Sequence, residues 1–184
     1  YGMRIDGHQF YILTLKNTAK TLVCDLRDGT WHQWTSFDGT TETYFTGVDF
    51  CEDADKKFLL DEDNGKIYNM DVDIHQDSTN DIKVEMLTNR VDFLSTKPKF
   101  LYRLGLIGDI QSSSSTITID WSDDDYNNYA TSRTVDMSNT FPRLVSLGRF
   151  HRRAFRLRHT ANTPLRLEAL EMGVEQGKYA EGSS

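Results

Sequence analysis

Two stretches of the sequence are rich in charged side chains that could bind a ligand or a partner. The run GRFHRRAFRLRHT, residues 148–160, contains five arginines, Arg149, Arg152, Arg153, Arg156 and Arg158. Side chains alternate between the two faces of a strand, so Arg152, Arg156 and Arg158 would share one face. A guanidinium group is a planar fork of donors that matches carboxylates and phosphates. The row could therefore bind DNA phosphates or an acidic partner surface.

A second interpretation keeps the arginine row inside the chain. The segment TANTPLRLEALE follows the run directly and predicts a returning strand, which would place Glu168 and Glu171 opposite the arginines. Opposite charges across neighbouring strands stabilise a sheet. The sequence leaves open both an internal salt-bridge ladder and a subunit or partner interface, the latter formed by Arg149, Arg152, Arg153, Arg156 and Arg158.

The stretch WSDDDYNN, residues 121–128, is the sharpest acidic cluster, with Asp123, Asp124 and Asp125 adjacent. Such carboxylates could bind calcium or a sugar. They are equally typical of a charged turn that follows a strand. The stretch resembles the Ser-x-Asp-x-Gly-x-Thr-Trp turn of sialidase-type propellers at Ser122 and Asp124 only, and that turn is a structural element.

The sequence lacks the other motifs that carry catalysis or metal binding. The histidines show no HExxH or HxH spacing, and no G-x-S-x-G elbow, P-loop or G-x-G-x-x-G is present. We therefore expect no enzymatic activity, no metal and no cofactor. Cys24 and Cys51 lie alone in strand-like segments, which predicts buried thiols instead of a redox pair.

Charge is unevenly distributed along the chain. The formal net charge of -7 argues against general nucleic-acid affinity. Residues 49–92 are strongly acidic, whereas residues 143–166 contain seven arginines and no acidic residue. Such asymmetry can orient a protein within an assembly. No apolar run approaches the roughly 20 residues that a membrane-spanning helix needs, so we expect no membrane contact.

The charged stretches lie among segments that are predicted to be strands, and the predicted fold class is all-β. Asp-Gly or Asn-Gly pairs separate runs of strand-forming residues, which predicts hairpins with two-residue type I′ turns. These pairs are Asp6–Gly7, Asp28–Gly29, Asp38–Gly39 and Asn64–Gly65. Four strand candidates follow one another in the first part of the chain, at residues 8–15, 21–26, 30–37 and 42–50.

We predict two domains and a tail. Residues 1–80 are typical of propeller-like antiparallel strands, incomplete because a closed propeller needs about four to eight blades of four strands. The chain would then be part of a larger propeller. Residues 81–176 predict a β-sandwich of antiparallel strands. Its strand candidates are residues 82–93, 99–110, 115–122, 131–138, 152–160 and 164–175. Residues 177–184 predict a flexible tail.

Several stretches, taken in order, resemble the C-terminal part of a known protein family. They are RIDGHQFYILTL, TLVCDL followed by TWHQW, YFTGVDF, NGKIYNMD and LVSLGRFHRRAFRLRHTANTPLRL. The family is the packaged-DNA stabilisation proteins of short-tailed bacteriophages (podoviruses), also described as tail accessory factors or tail hubs. The resemblance implies a structural virion protein of the phage tail, made in the host cytoplasm.

The resemblance also implies partners. Such a protein forms a ring, expected to be a hexamer, below the portal and its adaptor. It helps to retain packaged DNA and mounts the tail needle or tailspikes. DNA would pass nearby without sequence-specific binding. Two other functions remain open on the residues alone: a carbohydrate-binding or sialidase-like propeller fragment, and a non-viral propeller scaffold for protein partners.

Overall fold

The computed structural model of the chain describes residues 1–37, 40–71, 73–77 and 79–177. Regular structure in these residues is antiparallel β-strand apart from one 3-10 turn, Lys16–Thr18, so the predicted all-β fold class is confirmed. Within the described ranges, no helix has the length and apolar character needed to cross a membrane. The chain divides into two compact units, residues 1–82 and 83–184.

Unit 1 contains two antiparallel sheets and a small hairpin. Sheet I is a meander of five strands, β1 (Gly2–Ile5), β2 (His8–Leu15), β3 (Lys20–Asp25), β4 (Trp31–Phe37) and β5 (Glu42–Tyr44). Sheet II has three strands, β6 (Gly47–Asp53), β7 (Lys56–Asp61) and β8 (Ile67–Met70). The hairpin consists of β9 (Gln76–Asp77) and β10 (Asn80–Asp81).

The single strand predicted for residues 42–50 is two strands in the structure. The chain leaves sheet I after Tyr44 and enters sheet II at Gly47. Glycine is required at this point, because a Cβ on Gly47 would lie 2.6 Å from the Phe45 ring and 2.8 Å from the Leu59 methyl groups. The buried Thr46 is fixed by a 3.0 Å hydrogen bond from its Oγ1 to the Asp61 carboxylate.

The Asp-Gly turns are of two kinds. Asp6–Gly7 forms the predicted two-residue turn, with φ of 48° and 81°, and Ile5 pairs with His8 across it. At Asp28–Gly29 only the glycine has positive φ. Four residues separate Asp25 from Thr30, whose carbonyl accepts from the Asp25 N–H at 2.9 Å, and the Gly29 N–H donates to the Asp25 carbonyl at 2.8 Å. Asn64–Gly65 also ends a longer loop in which only the glycine has positive φ. The prediction of a two-residue turn is therefore wrong at Asp28–Gly29 and at Asn64–Gly65.

The second kind of loop has a local cause. The side chain of Asp25 accepts a 2.9 Å hydrogen bond from the Arg27 N–H, and Asp61 accepts one of 2.8 Å from the Asp63 N–H. Aspartate thereby supplies the acceptor for the first turn of the longer loop. The turn predicted at Asp38–Gly39 lies outside the described residues.

Unit 1 has a small apolar core. Its buried cluster is Met3, Ile12, Val23 and Leu59. Around it, the Trp34 ring lies 5.6 Å from Phe10 and 5.4 Å from Phe45 between centroids, the latter edge to face. Cys24 is buried as predicted, whereas Cys51 is exposed, so the prediction of a buried thiol is wrong there.

Unit 2 is formed by two antiparallel sheets. Sheet III has the strand order β11 (Val84–Leu87), β17 (Ala154–His159), β13 (Thr116–Ser122) and β14 (Arg133–Asp136). In sheet IV, β12 (Lys99–Gly108) is central, with β18 (Leu167–Gln176) on one edge. The short strands β15 (Arg143–Val145) and β16 (Arg149–Phe150) share its other edge.

The two sheets of unit 2 enclose one apolar core, as in a sandwich. Leucines of β12, isoleucines of β13 and the apolar side chains of β17 belong to one buried cluster. β14 contacts β15, so these strands lie on the same side of the sandwich. The opposite edges, β11 of sheet III and β18 of sheet IV, therefore form the other side. The short strands β15 and β16 fall outside the strands predicted from the sequence.

Candidate functional site

Arg156 and Arg158 lie on one face of β17 and share a single carboxylate. Asp120 on the neighbouring strand β13 is the register partner of Arg156 and is only 1% exposed. It accepts two hydrogen bonds from Arg156, at 2.9 Å from Nε and 2.7 Å from Nη2, and one from Arg158 Nη2 at 2.7 Å. The Ser132 hydroxyl adds a fourth bond at 3.2 Å.

This arrangement keeps Asp120 ionised. Burial on its own would raise the pKa of Asp120, but the hydrogen bonds and charges of Arg156 and Arg158 together outweigh it and hold the pKa below its ordinary value. The Arg156 guanidinium also stacks on Tyr129, 3.8 Å from the ring centroid. The donors of both arginines are thus directed into the chain.

Arg153 is an interior side chain. It is 2% exposed and makes a two-pronged contact with Asp123, with both N···O distances 2.7 Å. Its Nη1 donates to the Leu147 carbonyl at 2.7 Å. The guanidinium lies 4.6 Å from the Phe150 ring centroid and 5.2 Å from that of Trp121. Because Arg153 is buried, its side chain is not available to a partner surface.

Arg152 has a partner at the surface. Its Nη2 and the Nη1 of Arg90 donate to the two oxygens of Asp125, at 2.5 Å and 2.7 Å. Arg90 is a member of the network that the sequence analysis did not identify, since it lies 35 residues before Asp125. Each aspartate of the cluster except Asp124 therefore neutralises an arginine.

Asp124 organises the acidic turn itself. Its carboxylate accepts hydrogen bonds from the Ser122 hydroxyl at 2.8 Å, from the Asn128 N–H at 2.9 Å and from the Asn128 side chain at 2.6 Å. The hydrogen bond from the Asn128 side chain is the main reason that the pKa of Asp124 is lowered. Asp125 and Tyr126 follow at positive φ, 63° and 70°, which turns the chain sharply. The residues 121–128 form a self-bonded turn.

The predicted ladder to Glu168 and Glu171 is wrong. β17 and β18 are in different sheets, because β17 pairs with β11 and β13 whereas β18 pairs with β12. Glu171 instead contacts Arg103 at 2.6 Å, and Glu168 contacts Arg166 at 3.1 Å. The arginines do pair within the chain, but their partners are aspartates that lie 27 to 38 residues earlier in the sequence.

Among the described residues, two exposed arginines of sheet IV have no acidic partner. Arg149, one of the predicted residues, is exposed at β16, and Arg143, which the site prediction omitted, is exposed at β15. Neither has an ion pair within the part of the chain that the structure describes. Their register partners on β12 are Phe100 and Gly105. The exposed Tyr102 lies between these two positions.

A shallow groove of about 260 Å³ adjoins this outer face of sheet IV. It is lined by Arg103, Gly105, Ile107, Phe141, Arg143 and Glu171. Phe141 is 77% exposed, which leaves a large apolar surface in water. Exposed apolar surface next to unpaired charge is typical of a protein contact.

No cluster of three or more His, Cys, Asp or Glu side chains suited to a metal ion occurs among the described residues. Comparison of the chain with protein-family models and with curated proteins gives no match.

Proposed function

We propose that this chain is a structural component of a short bacteriophage tail, a hub or nozzle that assembles as a ring below the portal. In this role it helps to retain packaged DNA and mounts the tail needle or tailspikes. The observation that carries the proposal is the outer face of sheet IV. There Arg143 and Arg149 accompany the exposed Phe100, Tyr102 and Phe141.

The arginine run supports a scaffold that DNA passes without being held. Arg152, Arg153, Arg156 and Arg158 are each bonded to an aspartate of the same unit. A DNA phosphate would have to displace these aspartates before it could bind the arginines. The strongly acidic residues 49–92 would also repel phosphate, so that a duplex could slide.

The all-β architecture supports the same role. Among the described residues, sheet II of unit 1 has three strands, and β8 pairs with β7 alone. A propeller blade has four strands. A fourth strand supplied from elsewhere in a longer chain or assembly would complete such a blade, as expected for a module of a larger structural protein.

The test is electron microscopy of the parent protein with and without a short-tailed phage portal complex. Rings that dock on the portal would support the proposal. Particles that stay monomeric and ignore the portal would contradict it. Triple substitution of Arg152, Arg156 and Arg158 by Ala tests a separate point: we expect a loss of stability, because all three arginines are bonded to aspartates of the same unit.

No observation favours the carbohydrate-binding alternative. Asp123 is occupied by Arg153, and Asp124 by Ser122 and Asn128. A glycan array with the intact protein checks this: saturable binding that is lost in Asp123→Asn and Asp124→Asn would overturn the phage-tail proposal in favour of the sugar-binding one.

A further inference from the structure

The sandwich of unit 2 has two sides with different chemistry. We define the acidic side as the edge strands β11 and β18, and the basic side as β14, β15 and β16. Sheet III is four strands wide, whereas sheet IV is three, since β15 and β16 occupy one edge of β12 in turn. Among the described residues β18 pairs with β12 alone, so its other edge carries no strand.

The acidic side is incompletely covered. The inward-facing Leu170, Met172 and Val174 of β18 and Met86 of β11 pack on the core but are only partly buried. Glu171 and Glu175 are exposed on the outward face of β18. Glu171 is paired with Arg103 of the same chain at 2.6 Å. Glu175 has no ion-pair partner among the described residues. A long edge strand with this composition is a site for contact with another chain.

The basic side has the complementary charge. Arg143 and Arg149 are exposed there without ion pairs in the described part of the chain, and Val145 between them is about half exposed. Arg133 donates to the outward carbonyl of Val145 at 2.7 Å. Because this bond occupies a carbonyl at the edge of β15, another strand cannot form a continuous backbone ladder there. A contact with another chain would therefore depend on side chains.

We propose that the acidic side of one copy binds the basic side of a second copy, head to tail. Arg143 and Arg149 of one copy would face Glu175 of the next, over the apolar side chains of both edges. Charges on edge strands discourage indiscriminate pairing. Opposite charges on the two sides permit this one arrangement, because like sides repel.

The arrangement is heterologous, because different surfaces of the two copies meet. Heterologous contacts form rings when the rotation between neighbours closes. The inference thus deepens the proposed function and depends on its ring assembly, but not on the portal or DNA as partners.

Charge-swap variants of the whole chain test the contact. One variant carries Arg143→Glu and Arg149→Glu, and the other carries Glu175→Arg, which leaves the internal pair of Glu171 with Arg103 intact. We expect each alone to associate at least about tenfold more weakly than the wild type, because each then presents like charges on both sides. An equimolar mixture should reassemble. Native mass spectrometry and sedimentation over a range of concentrations measure both effects.

Two controls keep the experiment decisive. Lys20→Glu with Lys66→Glu reverses two exposed charges of unit 1 and should leave association unchanged. If a swap variant fails to unfold cooperatively in urea, the neutral variants Arg149→Gln and Glu175→Gln replace it, with a smaller loss expected.

The outcomes separate this inference from the proposed function. Weakened single variants and a restored mixture support the head-to-tail contact. Variants that associate as well as the wild type overturn it and leave ring assembly to another interface. A wild-type chain that is monomeric at every concentration overturns the contact and the proposed ring together.

Discussion

Arg153 is a charged residue that the fold has made part of its interior. Its five N–H groups are met largely by Asp123 and the Leu147 carbonyl, and aromatic rings lie near the guanidinium. Burying a charge is tolerated only when it is paired and hydrogen-bonded. Since Asp123 comes from the turn after β13 and Leu147 precedes β16, this one side chain ties sheet III to sheet IV.

Arg153→Met tests this role. The substitution keeps an apolar stem but leaves the Leu147 carbonyl and Asp123 without their donor. We expect a loss of about 3 kcal/mol in the free energy of unfolding, measured by urea denaturation. Arg149→Met is the matched control and should change stability by no more than about 0.5 kcal/mol. Equal effects of the two substitutions would contradict the interior role.

The ion pairs of Asp120 make the free energy of unfolding sensitive to acid, and the lowered pKa of Asp120 gives the direction of the effect. Its pKa is lower in the folded chain than in the unfolded chain, so its stabilisation is complete above about pH 4 and is lost as the pH falls towards the folded value. We expect Asp120→Asn to be destabilised by about 3 kcal/mol at pH 7, because Arg156 and Arg158 lose their counter-charge. The difference from wild type should shrink below pH 4.

Urea denaturation at a series of pH values measures this difference. Asp53→Asn, which removes an exposed carboxylate of unit 1, controls for the loss of one negative charge and should stay within about 0.5 kcal/mol of wild type. A difference for Asp120→Asn that is constant from pH 7 to pH 3 would show that the ion pairs do not stabilise the fold.

At the scale of elements, the pairing of β12 with β18 depends on a small residue. The Tyr102 ring lies over Gly173, and a Cβ built on Gly173 would be 2.5 Å from the ring. We expect Gly173→Ala to cost about 1–3 kcal/mol, since the tyrosine must move. In a Tyr102→Ala background the same substitution should cost much less.

The control for this cycle is Gly105→Ala on β12. A Cβ there meets Glu171 at 3.6–3.7 Å, which is ordinary contact. Thermal or urea unfolding of the four variants gives the coupling energy between Tyr102 and Gly173. A Gly173→Ala cost that is the same with and without the tyrosine would show that another contact requires the glycine.

The sequence identifies the elements better than their connections. Periodic, strand-forming runs predict β2, β12 and β13 almost to their ends, because burial on alternate residues is a local signal. The two-residue strand β16 and the three-residue strand β15 carry too few residues for such a signal. The hairpin predicted between β17 and β18 fails because the intervening segment crosses between sheets, which depends on the core and not on local sequence.

In the candidate site too, the sequence predicts local features but not the partners that come from distant segments. Alternation correctly places Arg156 and Arg158 on one face of a strand. Their partner Asp120 could not be identified, since strand register between distant segments is set by packing of the whole core. The lone aspartate in the otherwise strand-forming run TITIDWS was the available signal, because a carboxylate within a strand needs a partner when it is buried.

At the scale of the whole molecule, the two units differ in the size of their cores. Among the described residues, unit 2 has a cluster of twelve buried apolar side chains, and unit 1 has a cluster of four. Each such side chain contributes about 1.5–3 kcal/mol when it is fully buried. Conformational entropy opposes folding by a similar amount per residue in both units. The balance therefore favours folding much more in unit 2.

We predict that residues 83–184 fold when expressed alone and that residues 1–82 do not. A cooperative urea transition and dispersed amide resonances in NMR spectra are expected for the first fragment only, because only its core is large enough to offset the entropy of ordering. Cooperative unfolding of residues 1–82 alone would contradict this prediction. It would also weaken the argument that sheet II belongs to a blade completed by further strands, since a self-sufficient unit needs none.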